Sequence, residues 1–193
     1  MPNYEKTLIE NFEENKTMME KYPEILKTAE KTAEKIVECI QNGRNLLICG
    51  NGGSAADANH FEAELINKYK KDRKPLAAIS LSSNISNLTA IANDYSFDFI
   101  FSRQIKSFGK KGDVLVAFST SGKSKNILEA LKTAREQGIC TILFTGNQPA
   151  AEAVQFSDIV LKVPSNNTPR IQEMHAVLYH ALSEIVESEC CEE

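Results

Sequence analysis

The first part of the chain has apolar residues at intervals of three and four, the spacing of an amphipathic helix. This pattern predicts a helical arm over about residues 5–43, interrupted near Tyr22 and Pro23. Pro23 is typical of the first turn of a second helix, and Gly43 is typical of a helix end. The apolar positions are Leu8, Phe12, Met18, Met19, Ile25, Leu26, Ala29, Ala33, Ile36, Val37 and Ile40.

Short apolar runs alternate with helical patterns in the rest of the chain. The first run, "NLLICG", is continuous and apolar, as in a strand that a parallel sheet buries on both faces. The chain closes with a long helix after Pro169, whose apolar stripe recurs at helical spacing. The pattern predicts strands at 46–49, 76–81, 113–120, 140–146 and 158–163, and intervening helices at about 54–70, 85–92, 98–108 and 124–137.

This alternation predicts an α/β fold, a doubly wound parallel five-stranded sheet flanked by helices, with the N-terminal helical arm attached. We expect one domain over residues 1–193, with the arm at about 1–43 and the α/β core at about 44–193. In such sheets the ligand site lies at the carboxyl ends of the strands.

Composition narrows the classes of protein to be considered. The 193 residues are 42% apolar, enough for one substantial core, and the net charge of −4 gives no basic stripe for nucleic acid. The N-terminus is polar and acidic, and no apolar run approaches the roughly 20 residues of a membrane span. The five cysteines are odd in number and match no metal-binding spacing, which favours a reduced, cytoplasmic protein.

A glycine-rich turn, "GNGGSAAD" at 50–57, follows the first strand and opens a helix. Gly52 and Gly53 allow the backbone to approach a ligand, and the N–H groups at a helix start face an anion. The turn lacks the register of a dinucleotide fingerprint. Taken alone, it is equally consistent with simple turn chemistry.

A second turn, "STSGKS" at 119–124, follows a later strand. It does not have the spacing of a nucleotide P-loop. Because two such turns occupy equivalent places, we expect the second one to bind a phosphate monoester. Its hydroxyls belong to Ser119, Thr120, Ser121 and Ser124.

His60 and Glu64 lie four residues apart on the helix that leaves the first turn, so they emerge on one face. That spacing suits a metal chelate or an acid–base pair, although it also suits an ordinary surface contact. Gln172, His175 and His180 interrupt the apolar stripe of the closing helix. Gln172 and His180 lie on neighbouring lines of that helix, whereas we expect His175 to be a hydrogen-bonded residue on its polar side.

Four segments carry a family resemblance: "CGNGGSAADANHFEAEL", "LTAIANDYSFDFIFSRQ", "STSGKSKNILEALKTAR" and "VPSNNTPRIQEMH". Together they resemble the sugar isomerase (SIS) domain family in its phosphoheptose isomerase form, over about residues 40–187. The resemblance implies conversion of sedoheptulose 7-phosphate to D-glycero-D-manno-heptose 7-phosphate, in heptose biosynthesis. It also implies a bound zinc ion and a homotetramer whose subunits share active sites.

The resemblance assigns roles to individual residues. It implies that His60, Glu64, Gln172 and His180 bind zinc. Isomerisation of a sugar phosphate needs a base, an acid and a stabilised enediol, for which Glu64 is the candidate base and His180 the candidate acid. The implied substrate-binding residues are Asn51, Gly52, Gly53, Ser54, Asp94, Ser119, Thr120, Ser121, Ser124 and Gln172.

The chain departs from the family pattern after the second strand. Where the family usually has "TTDTS", this chain has "SSNIS" at 82–86, with Asn84 at an aspartate position and Ile85 at a threonine position. Asn59 also replaces a customary glutamine. These changes leave open the alternative that the chain is an isomerase of a different sugar phosphate.

Two further classes of protein are alternatives. A noncatalytic tetrameric relative binds the bacterial replication initiator, but it lacks the acidic residue and the histidine that this chain has as Glu64 and His180. A sugar-phosphate sensor in a transcription regulator carries a basic DNA-binding domain, whereas the arm here is acidic.

Overall fold

A five-stranded parallel sheet forms the centre of the fold in a computed structural model that describes residues 3–191. The strand order is β2-β1-β3-β4-β5, and every neighbouring pair is parallel. The strands are β1 (Leu46–Gly50), β2 (Ala78–Ser80), β3 (Val114–Phe118), β4 (Cys140–Thr145) and β5 (Ile159–Lys162). The predicted fold class, including the N-terminal helical arm, is confirmed.

Helices precede, connect and follow the strands. The arm is broken by a 3₁₀ turn at Tyr22–Glu24, at the place that the sequence predicts. The α-helices are α1 (Tyr4–Met19), α2 (Leu26–Gln41), α3 (Gly53–Ile66), α4 (Ile85–Asp94), α5 (Ser102–Phe108), α6 (Lys125–Glu136), α7 (Ala151–Gln155) and α8 (Thr168–Cys190). No helix within residues 3–191 is long and apolar enough to cross a membrane.

The central strands are buried on both faces, as their continuous apolar sequences predict. Leu46 and Ile48 of β1 join the apolar cluster that includes side chains of α2, α3 and α8. Leu47 and Cys49 point the other way, into the cluster that includes α5 and α6. Because all four are fully buried, the aliphatic ones each contribute about 1.5–3 kcal/mol through burial, and helices are needed on both faces.

The boundaries of several elements differ from the sequence prediction. Helix α3 ends at Ile66 rather than near residue 70, because the Arg73 guanidinium binds the carbonyl groups of its last turn. The strand predicted at 76–81 is shortened to Ala78–Ser80, and it pairs with only three residues of β1. The short helix α7 was not predicted.

The prediction for His175 is wrong. Its side chain is fully buried, with ring centroids 5.5 Å from Phe118 and 5.6 Å from Phe144. Its ring nitrogens make no hydrogen bond of standard geometry within residues 3–191. Burial lowers the pKa of this histidine to about 3, an effect that the nearby Thr145 backbone offsets only in part. His175 lies beside Met174 on the face of α8 that packs against the sheet, so it is a neutral core residue.

Candidate active site

The first turn connects β1 to α3 and fits closely against α8. Gly52 has a φ of +57°, a left-handed conformation that favours glycine. A Cβ atom at Gly53 would lie 2.6 Å from Nε2 of Gln172, so no larger residue fits without displacing that amide. Ser54 is buried at the start of α3. Gly52, Gly53 and Gln172, predicted separately, therefore meet at the carboxyl end of β1.

The second turn follows β3 and keeps several hydroxyl groups near a helix start. Gly122 has a φ of +64°, and its N–H donates to Oγ of Ser119 at 3.1 Å. Oγ of exposed Ser121 accepts from the Lys123 N–H at 3.2 Å. Ser124 is the N-cap of α6, but its hydroxyl makes no capping bond in the described chain. The hydroxyls of Ser121 and Ser124 are thus placed at a helix N-terminus, a setting that suits an anion.

The two turns are bound to each other by a pair of amides. Nδ2 of Asn51 donates to Oδ1 of Asn126 at 2.9 Å, and Nδ2 of Asn126 donates back to Oδ1 of Asn51 at 2.8 Å. This pairing is possible because Gly50 and Phe118, which precede the two turns, are opposite each other in adjacent strands. Sequence reasoning missed buried Asn126, although it lies within a quoted motif. The side chain of Asn51 is occupied by this partner.

His60, Glu64 and His180 come together, as the sequence predicts. One ligand atom from each lies within 4.8 Å of the others. Nε2 of His60 is 2.8 Å from Oε1 of Glu64, and the His60 and His180 ring centroids are 4.9 Å apart. Because α3 and α8 pack side by side, residues 120 positions apart in the chain form one cluster. We call these three residues the triad.

The donor atoms of the triad suit a metal ion. Two imidazoles and one carboxylate are the ligand types of catalytic zinc sites, which leave a position open for water or substrate. Gln172 lies on the same helix two turns before His180, and its amide lies against Gly53 at the start of α3. The structure therefore places the donor atoms of His60, Glu64 and His180 close enough to share one metal ion.

Tyr179 supports the triad, and sequence reasoning missed it. Its hydroxyl is 2.9 Å from Nδ1 of His60, and its ring centroid is 4.6 Å from that of His180. Burial, together with the charges of Asp57 and Glu64, raises the pKa of Tyr179 to about 12, so the phenol stays protonated at neutral pH. The hydroxyl holds the His60 ring through this hydrogen bond. The sequence clue that could have pointed to Tyr179 is its position directly before His180.

Asp57 is a second acidic group on α3, one turn before His60. Burial raises the pKa of its carboxyl to about 6, although the charge of His60 opposes the shift. Its Oδ2 atom is buried and has no hydrogen-bond partner within residues 3–191. A buried carboxyl without a hydrogen-bond partner among residues 3–191 therefore lies one turn from His60 of the triad.

Asp94 is not brought to the triad. It is the exposed last residue of α4, and its Oδ1 accepts a hydrogen bond from Nδ2 of Asn93 at 2.9 Å. No side-chain contact in the described part of the chain connects it to the triad or to the second turn.

The residues that depart from the family pattern lie at the start of α4. Asn84 is its N-cap, and Oδ1 of Asn84 accepts from the Asn87 N–H at 3.0 Å. Asparagine and aspartate cap helices about equally well, so this change preserves the local structure. Ile85 is 74% exposed. Ser82 contacts the first turn, since its hydroxyl donates to the Gly50 carbonyl at 3.0 Å.

Comparison with known proteins gives the family. The model of the SIS domain matches residues 12–146. A phosphoheptose isomerase from Helicobacter hepaticus is 45% identical over 188 residues, which cover 97% of this chain and 95% of that protein.

Two solved phosphoheptose isomerase structures have closely similar folds. A phosphoheptose isomerase from Francisella tularensis has a TM-score of 0.92 and 34% identity, covering 97% of this chain and all of that one. A phosphoheptose isomerase from Neisseria gonorrhoeae has a TM-score of 0.90 and 39% identity, covering 96% and 100%. The chain belongs to the SIS domain family, in the group formed by the phosphoheptose isomerases, and the resemblance noted in the sequence is confirmed.

Proposed function

We propose that the protein is an aldose–ketose isomerase that converts sedoheptulose 7-phosphate to D-glycero-D-manno-heptose 7-phosphate. The observation that carries this proposal is the convergence of His60, Glu64 and His180 from two distant helices. The relatives at 34% to 45% identity that are named for this reaction support it.

The triad offers the groups that such an isomerisation needs. In the ketose the carbonyl is at C2, so Glu64 removes a proton from C1 while His180 donates a proton to the C2 oxygen, which gives an enediol. The hydroxyl on C1 then gives its proton to His180 as Glu64 returns a proton to C2, which leaves the carbonyl at C1 and restores both side chains to their starting protonation states. Positioned acid–base groups of this kind contribute about 10²- to 10⁴-fold to a rate.

We propose that zinc is held by His60, Glu64, Gln172 and His180. When bound, the ion would polarise the carbonyl and hydroxyl oxygens of the sugar. The mutual proximity of three donor atoms supports the assignment, whereas Gln172 rests on the family resemblance. Since a carboxylate cannot be a tight ligand and a free base at once, Glu64 has to loosen one interaction during turnover.

The phosphate of the substrate is assigned to the second turn. The hydroxyls of Ser119, Thr120, Ser121 and Ser124 and the N-terminus of α6 provide donors for a phosphate monoester. In this assignment the first turn, from Asn51 to Ser54, and Asp94 contact the sugar. With its side-chain amide paired to Asn126, Asn51 would offer its backbone to the ligand.

We also propose a homotetramer with shared active sites, in the cytoplasm. Large apolar side chains are exposed on the arm and on α8, among them Leu8, Phe12 and Leu26, and a second copy would cover them. The exposed position of Asp94, which makes no side-chain contact with its own triad among the described residues, fits a site shared between subunits. The five free cysteines suit a reducing compartment. The product would enter heptose biosynthesis for lipopolysaccharide.

The proposal is tested by an isomerase assay over several ketose phosphates, with metal analysis of the same sample. We expect turnover to be fastest with sedoheptulose 7-phosphate and to require zinc. Full activity in zinc-free protein would contradict the metal assignment, and a preference for another ketose phosphate would favour the alternative substrate. The noncatalytic scaffold is disfavoured because Glu64 and His180 are both present in one cluster.

A further inference from the structure

A buried ion pair lies under the segment that connects α3 to β2. The Arg73 and Glu187 side chains are each 3% exposed, and Nε of Arg73 is 3.1 Å from Oε1 of Glu187. Arg73 belongs to the connecting segment, which we call the strap (residues 67–75). Glu187 belongs to α8. The pair therefore joins the strap to the helix that carries His180.

The Glu187 carboxylate also holds the backbone of the strap. It accepts hydrogen bonds from the N–H groups of Tyr69, Lys70 and Lys71 at 2.9 to 3.0 Å. Burial opposes ionisation of this group, but these three donors and Arg73 outweigh it and keep the pKa of Glu187 below its ordinary value. The carboxylate is thus ionised at neutral pH and has partners on both oxygens.

The Arg73 guanidinium holds the end of α3. One terminal nitrogen donates to the Glu64 carbonyl at 2.9 Å, and the other donates to the Leu65 carbonyl at 2.8 Å. These carbonyls belong to the last turn of the helix, where intrahelical partners are missing. One of them belongs to Glu64 itself. A single guanidinium therefore bonds to the backbone of a triad residue and to a carboxylate on α8.

The same strap contacts the other side of the triad. The Tyr69 ring stacks on the His180 ring, with centroids 6.0 Å apart and planes 22° apart. Glu187 lies seven residues after His180, almost two full turns, so both lie on one face of α8. The strap and its ion pair thus contact both the backbone of Glu64 and the ring of His180.

We propose that Arg73 and Glu187 are positioning residues that set the separation of Glu64 and His180, and with it the metal affinity of the triad. The inference rests on the proposed function, in which the triad binds zinc. Stability alone gives little reason for this arrangement, because well-packed apolar residues often replace a buried ion pair without loss. The bond to the Glu64 carbonyl is what an apolar replacement could not supply.

The test compares zinc affinity, kcat, KM and the melting temperature of the metal-free protein in three variants. Arg73→Lys keeps a positive charge but cannot reach both carbonyls and Glu187 together. Glu187→Gln keeps the shape but places an amide donor against backbone donors. Asp113→Asn is the matched control: Asp113 is fully buried and accepts from the N–H groups of Asn45 and Lys110, at the amino end of β3.

We expect Arg73→Lys and Glu187→Gln to weaken zinc binding, measured by competition with a chelator, by about 10- to 100-fold. We expect kcat to fall while KM changes little, because the phosphate turn is untouched. Asp113→Asn should lower the melting temperature but leave zinc affinity and kcat at the parent values.

Three results would overturn the proposal. The first is parent zinc affinity and kcat in both variants, and the second is an equal loss of both in Asp113→Asn. The third is failure of Arg73→Lys and Glu187→Gln to fold while Asp113→Asn folds, since the pair would then be a structural necessity. In each case a parent protein that binds zinc and isomerises leaves the proposed function standing, whereas a parent that does neither refutes that function.

Discussion

The α3–α8 region and helix α4 carry predicted site residues in contrasting settings. On α3 and α8, His60, Glu64 and His180 contact one another and are backed by Tyr179 and a buried ion pair. Helix α4 buries no residue, and its Asp94 contacts only its neighbour Asn93 through the side chain. The proposed proton-transfer group is therefore assembled within one chain, whereas Asp94, which we propose contacts the sugar, makes no side-chain contact with that group among the described residues.

The largest effect is expected from replacing Glu64, the proposed catalytic base of the triad. Glu64→Gln keeps the side-chain shape but removes the base, so kcat should fall by about 10²- to 10⁴-fold with the fold and assembly intact. Initial-rate kinetics and size-exclusion chromatography measure this. The matched control is Glu184→Gln, an exposed acid on α8 that pairs with Lys70. Turnover near the parent rate would remove Glu64 from its catalytic role.

Tyr179→Phe tests whether the phenol of Tyr179 positions His60 for metal binding. The change keeps the ring but removes the hydroxyl bonded to His60, so we expect zinc affinity and kcat to fall by about 10-fold or somewhat more. Tyr22→Phe, at an exposed position, serves as control. Parent values for both quantities in Tyr179→Phe would show that the hydroxyl does not orient His60.

Ser121→Ala and Ser124→Ala separate binding from chemistry. Each removes one candidate hydrogen bond to a charged phosphate, so KM should rise by about tenfold while kcat changes little. The triad is untouched in both variants, which makes Glu64→Gln the complementary case. An unchanged KM in both serine variants would dismiss the phosphate assignment of the second turn.

A further prediction concerns stability below pH 6.5, where His175 of α8 titrates only in the unfolded chain. The pKa of His175 is about 3 in the folded chain and 6.5 in the unfolded chain. Between pH 3 and pH 6.5, only the unfolded chain is therefore protonated at His175. The contribution of His175 to the free energy of unfolding is therefore fully present above pH 6.5. It falls as the pH is lowered towards 3, by at most about 1.4 kcal/mol per pH unit.

His175→Leu removes this group, and denaturant unfolding from pH 7 to pH 4 measures the change. The variant should lose less stability than the parent over that range. If the free energy of unfolding changes with pH equally in the variant and the parent, His175 is not the group responsible.

The sheet, the arm and the His60–Glu64 pair could be predicted from the sequence because their signals are local. Continuous apolar runs mark buried parallel strands, and a spacing of four puts His60 and Glu64 on one face of α3. The closing helix added His180, whose position opposite His60 came from the family resemblance rather than from periodicity.

The remaining features depend on contacts between distant parts of the chain. The Asn51–Asn126 amide pair spans 75 positions and the Arg73–Glu187 pair spans 114, and neither leaves a local pattern. The early end of α3 has the same cause, since Arg73 replaces the next helical turn as the partner of its carbonyls. His175 was misjudged because a polar residue on a helix was expected to face solvent.

The most direct test of the central claim follows isomerisation of sedoheptulose 7-phosphate in D₂O by NMR. Glu64 is 20% exposed, so a proton that it carries can exchange with solvent before it returns to the sugar. Proton transfer through an enediol predicts deuterium at C2 of the aldose, and no such product with Glu64→Gln. Complete transfer of the C1 hydrogen to C2, with no deuterium from solvent, would contradict the account.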